Sequence, residues 1–188
     1  LRAIPPAMVG SALRVSSSTG SGKTAAFVLP ALSRVLAARG DASKRRDNKT
    51  VHGPRVLVLT PTRELAMQVA KATDSYGRHI PGLRVATIVG GVPYHAQLKA
   101  LRGPLDVLIA TPGRLMDHMA SGKAVLANVE MQVLDEADRM LDVGFIDDIR
   151  HIASFLPEQR QTVMFSATFA GPVGQLAAQM LRNDAQTI

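Results

Sequence analysis

Cysteine is absent from the chain, and aromatic residues make up only 4% of its 188 positions. The first absence excludes a disulfide scaffold and a thiolate zinc site, and it suits the reducing cytoplasm, where the protein is expected to work. The second leaves little material for a platform on which bases would stack. Long hydrophobic runs are also missing. No stretch reaches the ~18–20 apolar residues that a membrane-spanning helix needs, and the opening LRAIPPAMVG is too short and too proline-rich for a secretory signal. A soluble, untargeted chain without a membrane partner is expected. Acidic residues are outnumbered, 15 against 22 Lys and Arg, for a formal charge of +7, which makes a polyanion a natural partner.

With 46% hydrophobic residues and no low-complexity tract, the chain has enough apolar material for one sizeable core, so a single domain over 1–188 is expected. It carries no initiator Met and begins at Leu1, from which an excised, monomeric fragment is expected. Six short apolar runs, 13–15, 55–59, 84–89, 106–110, 131–134 and 162–165, read as strands. Their nearly continuous hydrophobicity suits a parallel sheet covered on both faces. Segments of helical spacing lie between them: 25–38 (with Phe27, Leu29, Leu32 and Leu36), 64–76, 94–102, 114–120, 146–155 and 173–181. This alternation predicts an open, doubly wound, mainly parallel α/β sheet with helices on both faces. Residues 40–54, dense in Lys and Arg and without periodicity, read as a basic surface loop.

Ligands of such sheets bind beyond the carboxyl ends of the strands. Six polar clusters fall there: SSSTGSGKT, TPTRELA, GG, TPGR, DEAD and SAT, each directly after one of the six runs. The connections at the opposite end are ordinary polar loops. In STGSGKT, Gly20 and Gly22 let the backbone approach an anion, and the following helix adds its positive end. Lys23 would place a compact charge on β- and γ-phosphates and the Thr24 hydroxyl would ligate Mg2+. The loop resembles a P-loop, with Ser17 where the general pattern has its first glycine. Its cofactor-binding residues are Ser18, Thr19, Gly20, Ser21, Gly22, Lys23 and Thr24. In DEAD, Asp135 is the candidate for the magnesium shell, and Glu136 is the candidate base or orienter for an attacking water. Catalysis is therefore assigned to Glu136, Lys23 and Asp135.

Taken together, TGSGKT (19–24), PTRELA (61–66), GG (90–91), TPGR (111–114), DEAD (135–138) and SAT (166–168) are similar in order and spacing to the DEAD-box ATP-dependent RNA helicases. The resemblance is to their N-terminal RecA-like domain, and it covers nearly the whole chain. It implies ATP and Mg2+ as cofactors and ATP hydrolysis coupled to local duplex unwinding. It assigns coupling to Asp138, Ser166 and Thr168, with hydrogen bonds from Ser166 and Thr168 to Asp138. It also assigns RNA sugar-phosphate contacts to Pro61, Thr62, Arg63, Gly90, Gly91, Thr111, Pro112, Gly113 and Arg114. The chemistry agrees, because arginine forks and helix starts suit phosphate and glycines admit a close backbone. Thr62 and Thr111 read equally as helix caps, and the glycine pair as a plain turn. Phe165 and Phe169 read as core, and the five histidines show no metal-ligand spacing.

Two parts of the family pattern have no counterpart in the 188 residues: a Gln-containing adenine-reading segment, which would precede Leu1, and the second RecA-like domain with its HRxGRxxR arginines. The chain alone is therefore expected to bind nucleotide weakly, without clear adenine preference, and to show negligible RNA-stimulated ATPase and no unwinding. Two other readings stand beside this one: a related DNA helicase, and a non-catalytic RNA clamp or scaffold that uses ATP as a switch.

Overall fold

The structure is a computed structural model that describes residues 2–8, 10, 12–16, 23–40, 53–122, 124–181 and 186–188. In chain order the elements are α1 (Ile4–Met8), β1 (Leu13–Ser16), α2 (Lys23–Gly40), β2 (Val56–Leu59), α3 (Arg63–Tyr76), β3 (Val85–Ile88), α4 (Tyr94–Arg102) and β4 (Val107–Ala110). There follow α5 (Pro112–Ala120), β5 (Met131–Leu134), α6 (Ala137–Asp142), α7 (Ile146–Ala153), β6 (Gln161–Ser166), α8 (Pro172–Met180) and β7 (Gln186–Thr187). The strands form one sheet in the order β3-β4-β2-β5-β6-β1-β7, and every pairing in it is parallel. The expected open, doubly wound α/β sheet is present. Sequence periodicity missed α1, the single turn and a half of α6, and the two-residue β7, all too short to show a period.

Burial on both faces explains the continuous hydrophobicity of the strands. Val56, Val58, Val107, Ile109, Met131, Val133, Val163 and Phe165 pack into one core with residues of α1, α2 and α3. Their neighbours Leu57, Leu59, Leu108, Ala110, Leu134 and Met164 enter a second core with residues of α4, α5, α6, α7 and α8. Successive strand residues point to opposite faces, so one apolar run supplies both cores. The chain reverses direction across the sheet at β3. The helices before it lie on one face and those after it on the other, as right-handed crossovers require.

On α2 the buried face differs from the expected one. Phe27 and Leu32 are inside, but Leu29 and Leu36 are exposed, and the interior is completed by Ala26, Val28, Pro30, Ala31, Val35 and Ala38. Small residues let the helix sit close to the sheet, where the Phe27 ring meets that of Phe165 edge to face with centroids 5.4 Å apart. Phe165 is buried and Phe169 packs against the other core, as expected for both. The basic loop at 41–52 lies outside the described residues.

Register brings the strand ends level. Leu59 pairs with both Ala110 and Leu134, and Ala110 with Ile88. The next residues leave the sheet together, still tied by backbone bonds from the Thr60, Thr111 and Asp135 amides to the carbonyls of Ala110, Ile88 and Leu59. Ser16 lies opposite Ser166 in the same way. The functional clusters thus begin along one edge.

Candidate functional site

Strand order sorts that edge into two halves. β5, β6 and β1 are neighbours, so DEAD, SAT and the start of α2 lie together. β3, β4 and β2 are neighbours, so GG, TPGR and PTRE lie together, and β2 beside β5 joins the two halves.

In the first half, α2 begins at Lys23, whose Nζ lies 2.8 Å from Asp135 Oδ1 and 3.4 Å from Glu136 Oε1. Adjacent residues of an extended strand point to opposite sides, so two successive carboxylates ordinarily cannot meet one ammonium. The backbone resolves this at Glu136, which takes the left-handed conformation with φ 52° and ψ 54°. It is the one non-glycine residue at positive φ among the described residues. A non-glycine residue there costs about 1–2 kcal/mol, and hydrogen bonding around it maintains the turn. The Asp135 amide donates to Leu59 O before it, and the Glu136 carbonyl accepts from the Met140 amide after it, opening α6. The second oxygen of Glu136 lies 3.1 Å from Arg139 Nη1. Sequence reasoning missed Arg139, although a cation three residues after an acid on a short helix is a recognisable signal.

Asp135 is 1% exposed. Burial raises its pKa above the ordinary carboxylate value, and the Glu136 charge adds to this. The Lys23 ammonium opposes both. Oδ1 has no aligned hydrogen bond, and the ammonium is what stands against it. A buried oxygen poised for a cation, with the Thr24 hydroxyl on the first turn of α2, is a hard-oxygen donor set that fits Mg2+, which takes few protein ligands and keeps water and phosphate oxygens. Among the described residues no cluster of three or more His, Cys, Asp or Glu is placed to hold a metal by itself. Ser18, Thr19, Gly20, Ser21 and Gly22 lie outside the described residues.

Lys23, Glu136, Asp138, Arg139, Phe165, Ser166 and Ala167 wall one cleft. Asp138 and Ser166 therefore face the same space, but the expected hydrogen bonds from Ser166 and Thr168 to Asp138 are not made. The Ser166 hydroxyl donates to Thr168 O at 2.6 Å and accepts from the Thr168 amide, and Thr168 Oγ1 accepts from the Ala170 amide. The hydroxyls saturate the turn after β6 because the nearest free partners are its own backbone groups.

In the second half, Pro61 is buried, and the Thr62 side chain caps α3 by accepting from the Leu65 amide at 3.2 Å. Thr111 precedes Pro112, the first residue of α5, and although it occupies the cap position its hydroxyl makes no cap bond. Of the two threonines, only Thr62 is a cap by chemistry. Pro112 and Gly113 form the first turn of α5, and Arg114 Nη1 donates to Val92 O at 3.4 Å. Arg63, exposed at the start of α3, lays its guanidinium beside Gly91. Gly91 has φ +79°, and a Cβ there would lie 2.7 Å from Arg63 Nη1, whereas one at Gly90 would meet nothing within 4 Å. Gly91→Ala is therefore expected to cost about 1–2 kcal/mol in urea unfolding and to displace Arg63, while Gly90→Ala stays within about 0.5 kcal/mol; equal costs would contradict this geometry.

Histidines 79, 95 and 151 are exposed, and His52 is outside the described residues. His118 is buried and bonded to Gln97, an interior polar pair that no sequence pattern announced.

Comparison with known proteins agrees with this arrangement. The family model for the DEAD/DEAH box helicase matches residues 1–176. The chain is 40% identical over 185 residues to the ATP-dependent RNA helicase DeaD of Haemophilus influenzae, covering 98% of this chain and 28% of that protein. It is 42% identical over 180 residues to DeaD of Mycobacterium tuberculosis, covering 96% of this chain and 30% of the relative. It is 43% identical over 188 aligned positions to the DEAD-box ATP-dependent RNA helicase 52A of Oryza sativa subsp. japonica, covering 96% and 31%. The chain thus spans less than a third of the length of these relatives. A parallel RecA-like sheet with the described motif residues on one edge, in a chain matched by that model over residues 1–176, makes the chain a member of the DEAD/DEAH box helicase family.

Proposed function

We propose that the chain is the ATP-binding half of an ATP-dependent RNA helicase, in which ATP and Mg2+ occupy the Lys23–Asp135–Glu136 half of the edge and the RNA backbone lies along the Arg63–Gly91–Arg114 half. The observation that carries this reading is the side-by-side placement of the two halves, joined where β2 pairs with β5. Lys23 holds the β- and γ-phosphates at the start of α2, with the loop residues Ser18 to Gly22 supplying backbone amides. Asp135 and the Thr24 hydroxyl would hold Mg2+, partly through water, and the ion would supply charge neutralisation on the phosphate oxygens. Glu136 orients the attacking water and takes up its proton, and Arg139 fixes the carboxylate that does so. Asp138, Ser166 and Thr168 share the adjoining cleft and turn and carry changes at the phosphates toward the RNA half.

Arg63 and Arg114 reach phosphates, Thr62 and Thr111 begin the helices whose positive ends face the same strand, and Gly90 and Gly91 admit its backbone. Pro61, Pro112 and Gly113 shape those turns. Readout of this kind is indifferent to base sequence. The chain works as one domain of a two-domain core, with its partner domain outside these 188 residues, and is poorly active alone; its short coverage of the relatives supports this. A monomeric chain and a cytoplasmic location belong to the same proposal; among the described residues no helix is long and apolar enough to cross a membrane.

Fluorescence anisotropy with labelled single-stranded RNA tests the reading. Arg63→Ala with Arg114→Ala is expected to lower affinity on every sequence alike, to flatten the salt dependence by about 0.7 for each phosphate no longer neutralised, and to leave nucleotide binding unchanged. Affinity that is insensitive to both arginines sinks the RNA assignment, and stronger competition by single-stranded DNA than by RNA would favour a DNA helicase.

A further inference from the structure

The Gly90–Gly91 turn follows Val89, whose carbonyl accepts a 2.6 Å hydrogen bond from Gln97 Nε2 on α4. Gln97 Oε1 lies 2.8 Å from His118 Nε2 on α5. Gln97 is 2% exposed and His118 0%, so water contributes nothing to either bond. The roles are fixed by elimination. A backbone carbonyl only accepts, so the Gln97 amide nitrogen faces Val89, its oxygen faces His118, and His118 must present Nε2–H. The neutral ring with the proton on Nε2 satisfies the chain, leaving Nδ1 as a buried acceptor without a partner.

The imidazole is held flat against the Tyr94 ring, with centroids 4.2 Å apart and planes 7° from parallel. Tyr94 Oη shares a 2.9 Å hydrogen bond with Ser121 Oγ, which donates to His118 O, also at 2.9 Å. One turn earlier on α5, Arg114 donates to Val92 O at the far side of the glycine turn. The turn is thus tied to α5 at both ends, once through a buried relay and once through Arg114. A second positive charge at the ring would face Arg114 and leave a buried Nδ1–H without an acceptor. Burial accordingly pushes the His118 pKa down, Arg114 adds to that, and Asp117 partly offsets it.

We propose that Tyr94, Gln97 and His118 are positioning residues that bolt the Gly90–Gly91 turn to the last turn of α5, while Arg114 ties it to the first, and so fix the spacing of the backbone contacts made by GG and TPGR. This rests on the RNA reading above for its functional half, but its structural half does not. All three lie on α4 and α5, outside the GG and TPGR segments. They set where Gly91 and Arg114 stand relative to each other.

The test uses the wild-type chain and the variants H118L, H118Q, Q97L and H118L with Q97L. Long-range proton–nitrogen spectra of the wild type are expected to show His118 protonated at Nε2 alone near neutral pH; an Nδ1–H ring overturns the relay without any mutation. H118L is expected to shift the amide resonances of Gly90, Gly91 and Val92 in the absence of RNA and to weaken single-stranded RNA binding about fivefold, the worth of one neutral hydrogen bond, while ATP binding is unchanged. H118Q, whose amide can donate from nearly the Nε2 position, should restore both readouts, and the double variant should be no worse than Q97L. An H118L chain whose turn resonances do not move, or an H118Q chain as impaired as H118L, overturns the bolt. If Arg63 and Arg114 prove irrelevant to RNA while the turn resonances still move, the RNA reading fails and the structural bolt survives. If H118L does not fold, the wild-type spectra and H118Q still decide.

Discussion

Glu136→Gln is expected to lower ATP turnover by about 10²–10⁴-fold, the contribution of a positioned general base, while ATP affinity changes by less than about threefold, because the proposed role of the carboxylate is on the water rather than on the ground-state nucleotide. The amide keeps the volume and can still accept from Arg139, so the left-handed turn at 136 and the start of α6 are retained. Steady-state hydrolysis with saturating RNA, measured on the protein's longest native form, and equilibrium binding of a fluorescent ATP analogue provide the two numbers. Turnover within tenfold of wild type removes Glu136 from catalysis, whereas lost turnover with unchanged function in cells would support the reading of a non-catalytic clamp. A matched loss of affinity means instead that the carboxylate organises the pocket.

Lys23→Met has two expected consequences. Nucleotide affinity falls by on the order of 10- to 100-fold, the 1.5–3 kcal/mol of a charged hydrogen bond removed from the phosphates. The nucleotide-free protein is also destabilised, because the ammonium at 2.8 Å from Asp135 and 3.4 Å from Glu136 is the cation standing between two buried carboxylates. An unpaired buried charge costs about 3–5 kcal/mol, and Asp135 relieves part of this by taking up a proton. Its folded-state pKa already lies above the ordinary 3.8, and removing the opposing ammonium raises it further.

Between 3.8 and the raised folded value, the folded chain binds more protons than the unfolded chain, so stability falls as pH rises through that window. The gap between Lys23→Met and wild type should therefore be widest above the window and close as the pH is lowered into it. Urea unfolding at a series of pH values measures this, and a gap independent of pH would mean that Asp135 is not the group that titrates.

His118 works in the opposite direction in wild type and variant alike. Its folded pKa lies below the ordinary 6.5, so its contribution to stability falls as pH drops below that value. Comparing Lys23→Met with wild type cancels this slope, since nothing in the relay touches Lys23.

Much of the site was legible because its chemistry is local. GSGKT, DEAD and TPGR announce themselves through residue types at fixed spacing, and the apolar runs place them after strands without any knowledge of pairing. What failed in the sequence reading failed for want of partners. Ser166 and Thr168 were expected on Asp138 and instead bond within their own turn. Leu29 and Leu36 matched a helical stripe that the sheet does not use, because small residues beside Phe27 bring α2 closer on another face.

The sequence alone determined the six main strands, the longer helices between them and the common edge on which the motifs gather, since each follows from an apolar run or periodicity within about ten residues or from turn chemistry. Tertiary structure decided which motifs are neighbours. Strand order is set by long crossovers and by which hydrophobic faces meet, and only that order separates the Lys23–Asp135–Glu136 half of the edge from the Arg63–Gly91–Arg114 half. It also decided the left-handed Glu136, tolerated because Leu59 and Met140 hold the backbone on either side, and the burial of Gln97 against His118, 21 residues apart in the chain. A polar pair so far separated has no local signature, because its stability comes from the desolvated cavity that two packed helices make around it.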